Sequence, residues 1–181
     1  IPDFEYTATK DGGITLTKYT GKNTHVVIER EYGGIPVTGL GESLLANNEK
    51  LISVTIPDTV TYIGPRFVAG CIKLASITIP DSVKKIEWNA FKYCKNLQHV
   101  RFSKHLEYIG EGAFAYCEKL EELDLPASVS TIELEAFNNT PWLRNKPDGM
   151  VIVGSVLYKY KPFDGDEKVE PDCIIPEGVE S

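Results

Sequence analysis

Three cysteines, Cys71, Cys94 and Cys117, follow one another at intervals of 23 residues. A thiol ladder of this kind can hold a soft metal or close disulfides, and it is equally the pattern of a row of small, buried, apolar side chains. Strands stacked about 4.7–4.9 Å apart would bring such Cα atoms into bridging range, so distance leaves both readings open. Three members cannot all pair, and Thr140 takes the same place one interval further on. Space filling by free thiols is therefore the expectation, with Cys173 too isolated to interpret. The three histidines, His25, His99 and His105, lie neither in an HExxH arrangement nor at zinc-ligand spacing from a cysteine. No GxSxG, P-loop or dinucleotide fingerprint is present. The sequence thus predicts no catalytic residue, no cofactor and no metal site. Asp164-Gly165-Asp166-Glu167 alternates carboxylates of a kind that can share a hard cation, but further ligands at regular spacing are missing and a solvated turn is expected. Asn138-Asn139-Thr140 fits the glycosylation sequon formally and is discounted because Pro141 follows.

The elements that position these residues are set by a repeat. Leu51 to Trp142 reads LISVTIPDTVTYIGPRFVAGCIK, LASITIPDSVKKIEWNAFKYCKN, LQHVRFSKHLEYIGEGAFAYCEK and LEELDLPASVSTIELEAFNNTPW. Counted from each first Leu, apolar residues recur at positions 1, 4, 6, 10, 13, 17 and 18. A unit this short cannot close a core alone and must stack on its neighbours as a solenoid. The two-residue spacing of positions 4 and 6 is strand periodicity, ended by Pro57, Pro80 and Pro126, and once by Ser103. Positions 10 and 13 bracket a second extended piece. Positions 15 to 21 carry helix-friendly spacing with Ala90/Phe91, Ala113/Phe114 and Ala136/Phe137 inward, so each coil is expected to have three sides. Phe67 and Val68 invert the small-then-large pair at roughly constant volume.

The pattern LxxLxIPxxVxxIGxxAFxxC, matched best by Leu74 to Asn96, resembles the bacterial surface-antigen (BspA-type) branch of the leucine-rich repeats. It lacks an Asn at position 9, where Thr59, Ser82, His105 and Ser128 stand. The resemblance implies an α/β fold: a right-handed leucine-rich-repeat solenoid of short parallel strands plus helical turns, with a hairpin cap and an inserted C-terminal hairpin. It also implies a secreted or surface-tethered bacterial protein that contacts host or microbial ligands, without catalytic residues. Residues 1–25 read as the hairpin cap, with FEYT and ITLTKY joined across Lys10-Asp11-Gly12-Gly13. Residues 26–143 read as the solenoid, with Val26, Val27 and Ile28 as its first strand and five extra residues around Glu31-Tyr32-Gly33-Gly34. In residues 144–181 a hairpin about Gly154-Ser155 precedes a restart of the array at Ile175, Pro176 and Val179. Pro141 is expected to stop the last helical turn. The chain opens on Ile1 without a signal peptide and ends one residue before the next expected inward Ile, so it reads as a fragment of a protein that continues.

Two sets of outward residues are candidates for binding. Tyr62 and Tyr108 share position 12, Tyr93 and Tyr116 share position 20, and Trp88 sits at position 15. Such rings can anchor a partner or pack as half-buried rungs on the coils above and below, and the rung reading is favoured. Positions 3 and 5 flank inward position 4 and point out of the strand face together. They read Ser53 and Thr55, Ser76 and Thr78, His99 and Arg101, Glu122 and Asp124. Arg101 and Asp124 could pair with each other, worth about 0–1 kcal/mol when exposed. Alternatively, Thr78, His99, Arg101, Glu122 and Asp124 form the centre of a graded polar patch for a partner. A net charge of −7 argues against nucleic-acid binding, and no run of 18 apolar residues inserts into a membrane. The expected function is an extracellular binding or adhesion module for a protein or glycan ligand. The alternatives are a structural spacer within a larger bacterial cell-surface protein and, less favoured, an accessory module of an enzyme.

Overall fold

The computed structural model describes residues 3–147, 149–153 and 156–161. Asp164 to Glu167, Cys173 and the expected restart at Ile175, Pro176 and Val179 lie outside the described residues.

The short strands of the coils lie on two faces. On the first face β3 (His25–Val27) pairs in parallel with β6 (Ser53–Thr55), and β8 (Ser76–Thr78) with β10 (His99–Arg101). On the second face β5 (Ile35–Leu40), β7 (Tyr62–Ile63), β9 (Lys85–Ile86), β11 (Tyr108–Ile109) and β12 (Thr131–Ile132) pair in parallel, one rung per coil. This sheet begins with an antiparallel hairpin of β1 (Phe4–Ala8) and β2 (Ile14–Tyr19), whose second strand runs parallel to β5. The hairpin covers an edge that would otherwise offer unpaired backbone groups to any passing strand. The extra residues of the first coil form β4 (Glu31–Tyr32), which turns back onto β5. Its turn needs two consecutive left-handed residues, and Gly33 and Gly34 supply φ of 62° and 80°. β13 (Gly149–Val153) and β14 (Val156–Lys161) pair antiparallel after the last coil.

The third side corrects the expectation of helical turns: the fold is a β-solenoid, and the only helix among the described residues is α1 (Pro141–Arg144). The cause is visible in the backbone. Position 16 is left-handed in every coil, at Ser43, Arg66, Asn89, Gly112 and Glu135, and so is position 20, at Asn47, Gly70, Tyr93, Tyr116 and Asn139. A left-handed residue twice within five positions cannot lie in an α-helix. Instead alternate N–H groups close tight turns, such as Lys92 to the Asn89 carbonyl at 3.1 Å and Cys94 to Phe91 at 3.2 Å. The intervening ones reach the next coil: Asn89 to Glu111 at 2.8 Å, Phe91 to Ala113 at 2.8 Å and Tyr93 to Ala115 at 2.9 Å. The turns thus form a third ladder between coils. Pro141 likewise does not stop a turn. It opens α1, where its missing N–H costs nothing, behind Thr140 as N-cap, whose hydroxyl accepts from the Leu143 N–H at 3.2 Å.

Inside, the inward positions close as the repeat requires. Phe67, Phe91, Phe114 and Phe137 are fully buried, and Phe114 stacks between Phe91 at 4.9 Å and Phe137 at 5.6 Å. A buried phenyl contributes about 1.5–3 kcal/mol by area, and a favourable ring pair adds about 0.5–1.5 kcal/mol.

Candidate binding surface

The cysteines are a packing feature. Cys71, Cys94 and Cys117 are buried free thiols, and each S–H donates to a position-18 carbonyl one coil back, those of Leu45, Val68 and Phe91, at 3.1 to 3.3 Å. Burial pushes the Cys71 and Cys117 thiols up to about 12 and Cys94 well above its ordinary value. Such thiols are poor nucleophiles and poor metal ligands at neutral pH. Thr140, the fourth member of the row, donates to the Phe137 carbonyl at 2.7 Å.

The aromatic rows pack along the stack. Tyr93 and Tyr116 stack on each other at 4.8 Å, and the Lys85 ammonium sits 4.5 Å above the Tyr108 ring while pairing with Glu87 at 2.9 Å. Tyr62 and Trp88 remain exposed at their edges. The hydroxyls at position 9 also serve the stack, with Thr59 donating to the Arg30 carbonyl at 3.2 Å and Ser128 to that of Lys104 at 2.9 Å.

The ladder of the strand face is interrupted twice: β6 and β8 do not pair, and β10 has no partner strand in the fifth coil. A groove lies at the second interruption. The coils that begin at Leu97 and Leu120, the fourth and fifth, part there to leave a groove of about 520 Å³. One wall carries His99, Arg101 and Lys104, the other Glu122 and Asp124, and Val100, Phe102 and Pro126 lie between. Four of the five sequence-derived site residues therefore line one groove; Thr78, exposed one coil earlier on β8, does not. The anticipated Arg101–Asp124 pair is absent. Arg101 reaches back to Asp81, 3.4 Å from its carboxylate, and donates to the Ile79 carbonyl at 3.4 Å. Asp81 is fixed there because it also accepts the Lys104 N–H at 3.1 Å, which with the charges of Arg101 and Lys104 holds its carboxyl below the usual range. Glu122 and Asp124 have no hydrogen-bond or ion-pair partner among the described residues. Sequence reasoning missed Asp81 and Lys104 because position 8 had been given no direction; their shared position, one coil apart, is the signal that pairs them.

The family is settled by the repeats themselves: the description "BspA type Leucine rich repeat region" matches in six copies across residues 38–147. The chain belongs to the BspA-type leucine-rich repeat family. Two solved structures are similar to it over most of its length. A Treponema relative, the T. pallidum leucine rich repeat protein TpLRR, is 35% identical with a TM-score of 0.73, over 75% of this chain and 64% of its own. A leucine rich cell surface protein from Faecalibacterium prausnitzii A2-165 is 30% identical with a TM-score of 0.60, over 77% of this chain and 45% of its own. The chain thus spans less than two thirds of either relative. No curated protein matches it. In this BspA-type repeat array the groove is an opening of the strand face alone, since the coils it separates remain bonded on their other two sides. No helix among the described residues is long and apolar enough to cross a membrane.

Proposed function

We propose that this BspA-type array is an extracellular binding or adhesion module, and that its ligand docks on the strand face at the groove between the fourth and fifth coils. The observation that carries the reading is the groove: an apolar floor between a basic wall of His99, Arg101 and Lys104 and an acidic wall of Glu122 and Asp124. Opposed charges on a rigid surface orient a partner and reject mismatched ones. A protein ligand suits this better than a glycan, because the exposed tyrosines 93 and 116 cover each other's faces rather than offering a flat platform. A surface location is supported by the description of the Faecalibacterium relative as a cell surface protein.

The spacer reading is favoured by a separate observation, the exposed ion pairs that bridge successive coils, Lys84–Glu107 at 3.2 Å and Lys95–Glu118 at 3.0 Å. The experiment that separates the two is a screen of the wild-type chain against protein and glycan arrays. Arg101→Glu and Asp124→Lys, singly and together, are then tested on any ligand found. Loss of binding by folded variants supports the groove, and unchanged binding by all three removes it.

A further inference from the structure

We infer that the occupant of the groove is an extended peptide segment that pairs its backbone with the free edge of β10. The inference rests on the reading above that this face binds, and adds how it binds.

In a parallel pair, alternate residues of a strand turn their N–H and C=O to opposite neighbours. In β10 it is His99 and Arg101 that face β8: the His99 N–H reaches the Ala75 carbonyl at 3.3 Å and the Arg101 carbonyl accepts from Ile79 at 2.8 Å. Val100 and the Phe102 N–H consequently face the fifth coil. There residues 121–125 form no strand, and no backbone hydrogen bond joins them to β10 or to Phe102. The same coils stay bonded elsewhere, through Glu133 N–H to Ile109 at 2.9 Å on the second face and Phe114 N–H to Ala136 at 2.7 Å on the turn side. The result is a wedge open on one side, with a strand edge inside it. An unpaired edge is a template for strand addition, in which main-chain hydrogen bonds give affinity and alternate side chains give specificity.

The walls define the occupant. An added strand directs every second side chain inward, onto the groove floor of Val100, Phe102 and Pro126, where Val100 is only half-buried although the position-4 residues Val54 and Ile77 are buried. A branched apolar residue fits that floor. Its outward side chains lie between a basic and an acidic row, so a charge of either sign meets one repulsive wall and an uncharged polar group meets none. Each ladder on this face joins a His-Val strand to a segment of this composition: β3 to Ser53-Val54-Thr55, and β10 itself, on its other edge, to Ser76-Ile77-Thr78. The partner is therefore a protein segment of hydroxyl, branched apolar, hydroxyl type.

The probe is a labelled synthetic peptide with the sequence of residues 74–80, LASITIP, measured by fluorescence anisotropy on the whole chain. Two companions carry backbone N-methyl groups, one at the Ser and Thr and the other at the two Ile. Because only alternate N–H groups of an added strand face β10, one companion should bind roughly tenfold or more weakly while the other loses less. Saturation with the parent peptide should also slow amide exchange at Val100 and Phe102. Absence of peptide binding, equal binding by all three, or unaltered exchange at those amides overturns the inference. Loss of a screened ligand in Arg101→Glu alongside a failed peptide experiment would leave the binding face standing and remove strand addition alone.

Discussion

The fourth and fifth coils meet differently on their turn side and their strand side. On the turn side three backbone hydrogen bonds join them, Gly112 to Leu134, Phe114 to Ala136 and Tyr116 to Asn138, at 2.7 to 3.0 Å, and Phe114 stacks on Phe137. On the strand side no backbone bond joins β10 to residues 121–125. The residues contribute to the contrast. Ala-Phe recurs at positions 17 and 18 of both coils, whereas the strand triplet runs Ser-Val-Thr, Ser-Ile-Thr, His-Val-Arg and then Glu-Leu-Asp. The last triplet replaces a β-branched centre by Leu and β-compatible flanks by carboxylates, the residues least at home in strands. β6 and β8, with Ser-Val-Thr and Ser-Ile-Thr, also form no ladder while their coils stay paired on the second face, so a repeat array keeps its stack on two sides where the third is open.

The largest expected effect lies on the closed side. Phe114→Ala removes a fully buried ring stacked between two others and should cost about 3–5 kcal/mol in denaturant unfolding, whereas Leu123→Ala on the open side, half-buried and without a ladder to support, should cost less than half as much. Equal losses would erase the contrast. Ile86→Ala, at inward position 13, should cost about 2–5 kcal/mol.

The buried thiols of the turn side give a pH signature. In the folded chain Cys71 and Cys117 ionise near 12, against an ordinary value of 9.0. A raised pKa means that the folded state holds protons the unfolded state has released, so stability is intact below about pH 9 and falls as pH rises toward 12, by roughly 1 kcal/mol per thiol per pH unit. Replacing both by Ala should flatten this decline. Below that window all three thiols should resist alkylation until the chain is unfolded, and then react without prior reduction.

A smaller effect sharpens the comparison from the other side. Writing Ser-Ile-Thr in place of Glu122-Leu123-Asp124 should zip the open junction and add on the order of 1 kcal/mol. It should also bring Val100 and Phe102 amide protection up to that of Ile77 and Ile79. Smallest of all, Lys85→Ala removes a partly exposed pair with Glu87 and a contact with Tyr108 and should cost at most about 1 kcal/mol.

Much of this fold can be read from the residues, because inward positions such as Ile63, Ile86 and Ile109 repeat the same apolar choice and burial is what the repeat encodes. The turn side was misread because Ala-Phe at positions 17 and 18 has the same spacing in a helix as in a pair of tight turns. Asn and Gly recurring at positions 16 and 20, as in Asn47, Gly70, Asn89, Gly112 and Asn139, were the signal for left-handed backbone. Tyr93 and Tyr116 conceal it, bulky residues held at φ 61° at a cost of order 1–3 kcal/mol each, partly offset by their mutual stacking. The charged residues of the groove are legible as a row of outward residues but not as a groove, since whether neighbouring coils zip depends on both strands at once. The partner of Arg101 was missed for a related reason: Asp81 and Asp124 are both one coil away, and only the Lys104 amide that fixes Asp81 decides between them.

The fourth and fifth coils are thus closed on their turn side and open on their strand side. Residue-resolved amide hydrogen exchange on the free chain at neutral pH tests this most directly. The account predicts strong protection at Gly112, Phe114 and Tyr116, and exchange at Val100 and Phe102 close to that of an unstructured peptide. Comparable protection at all five amides would contradict it.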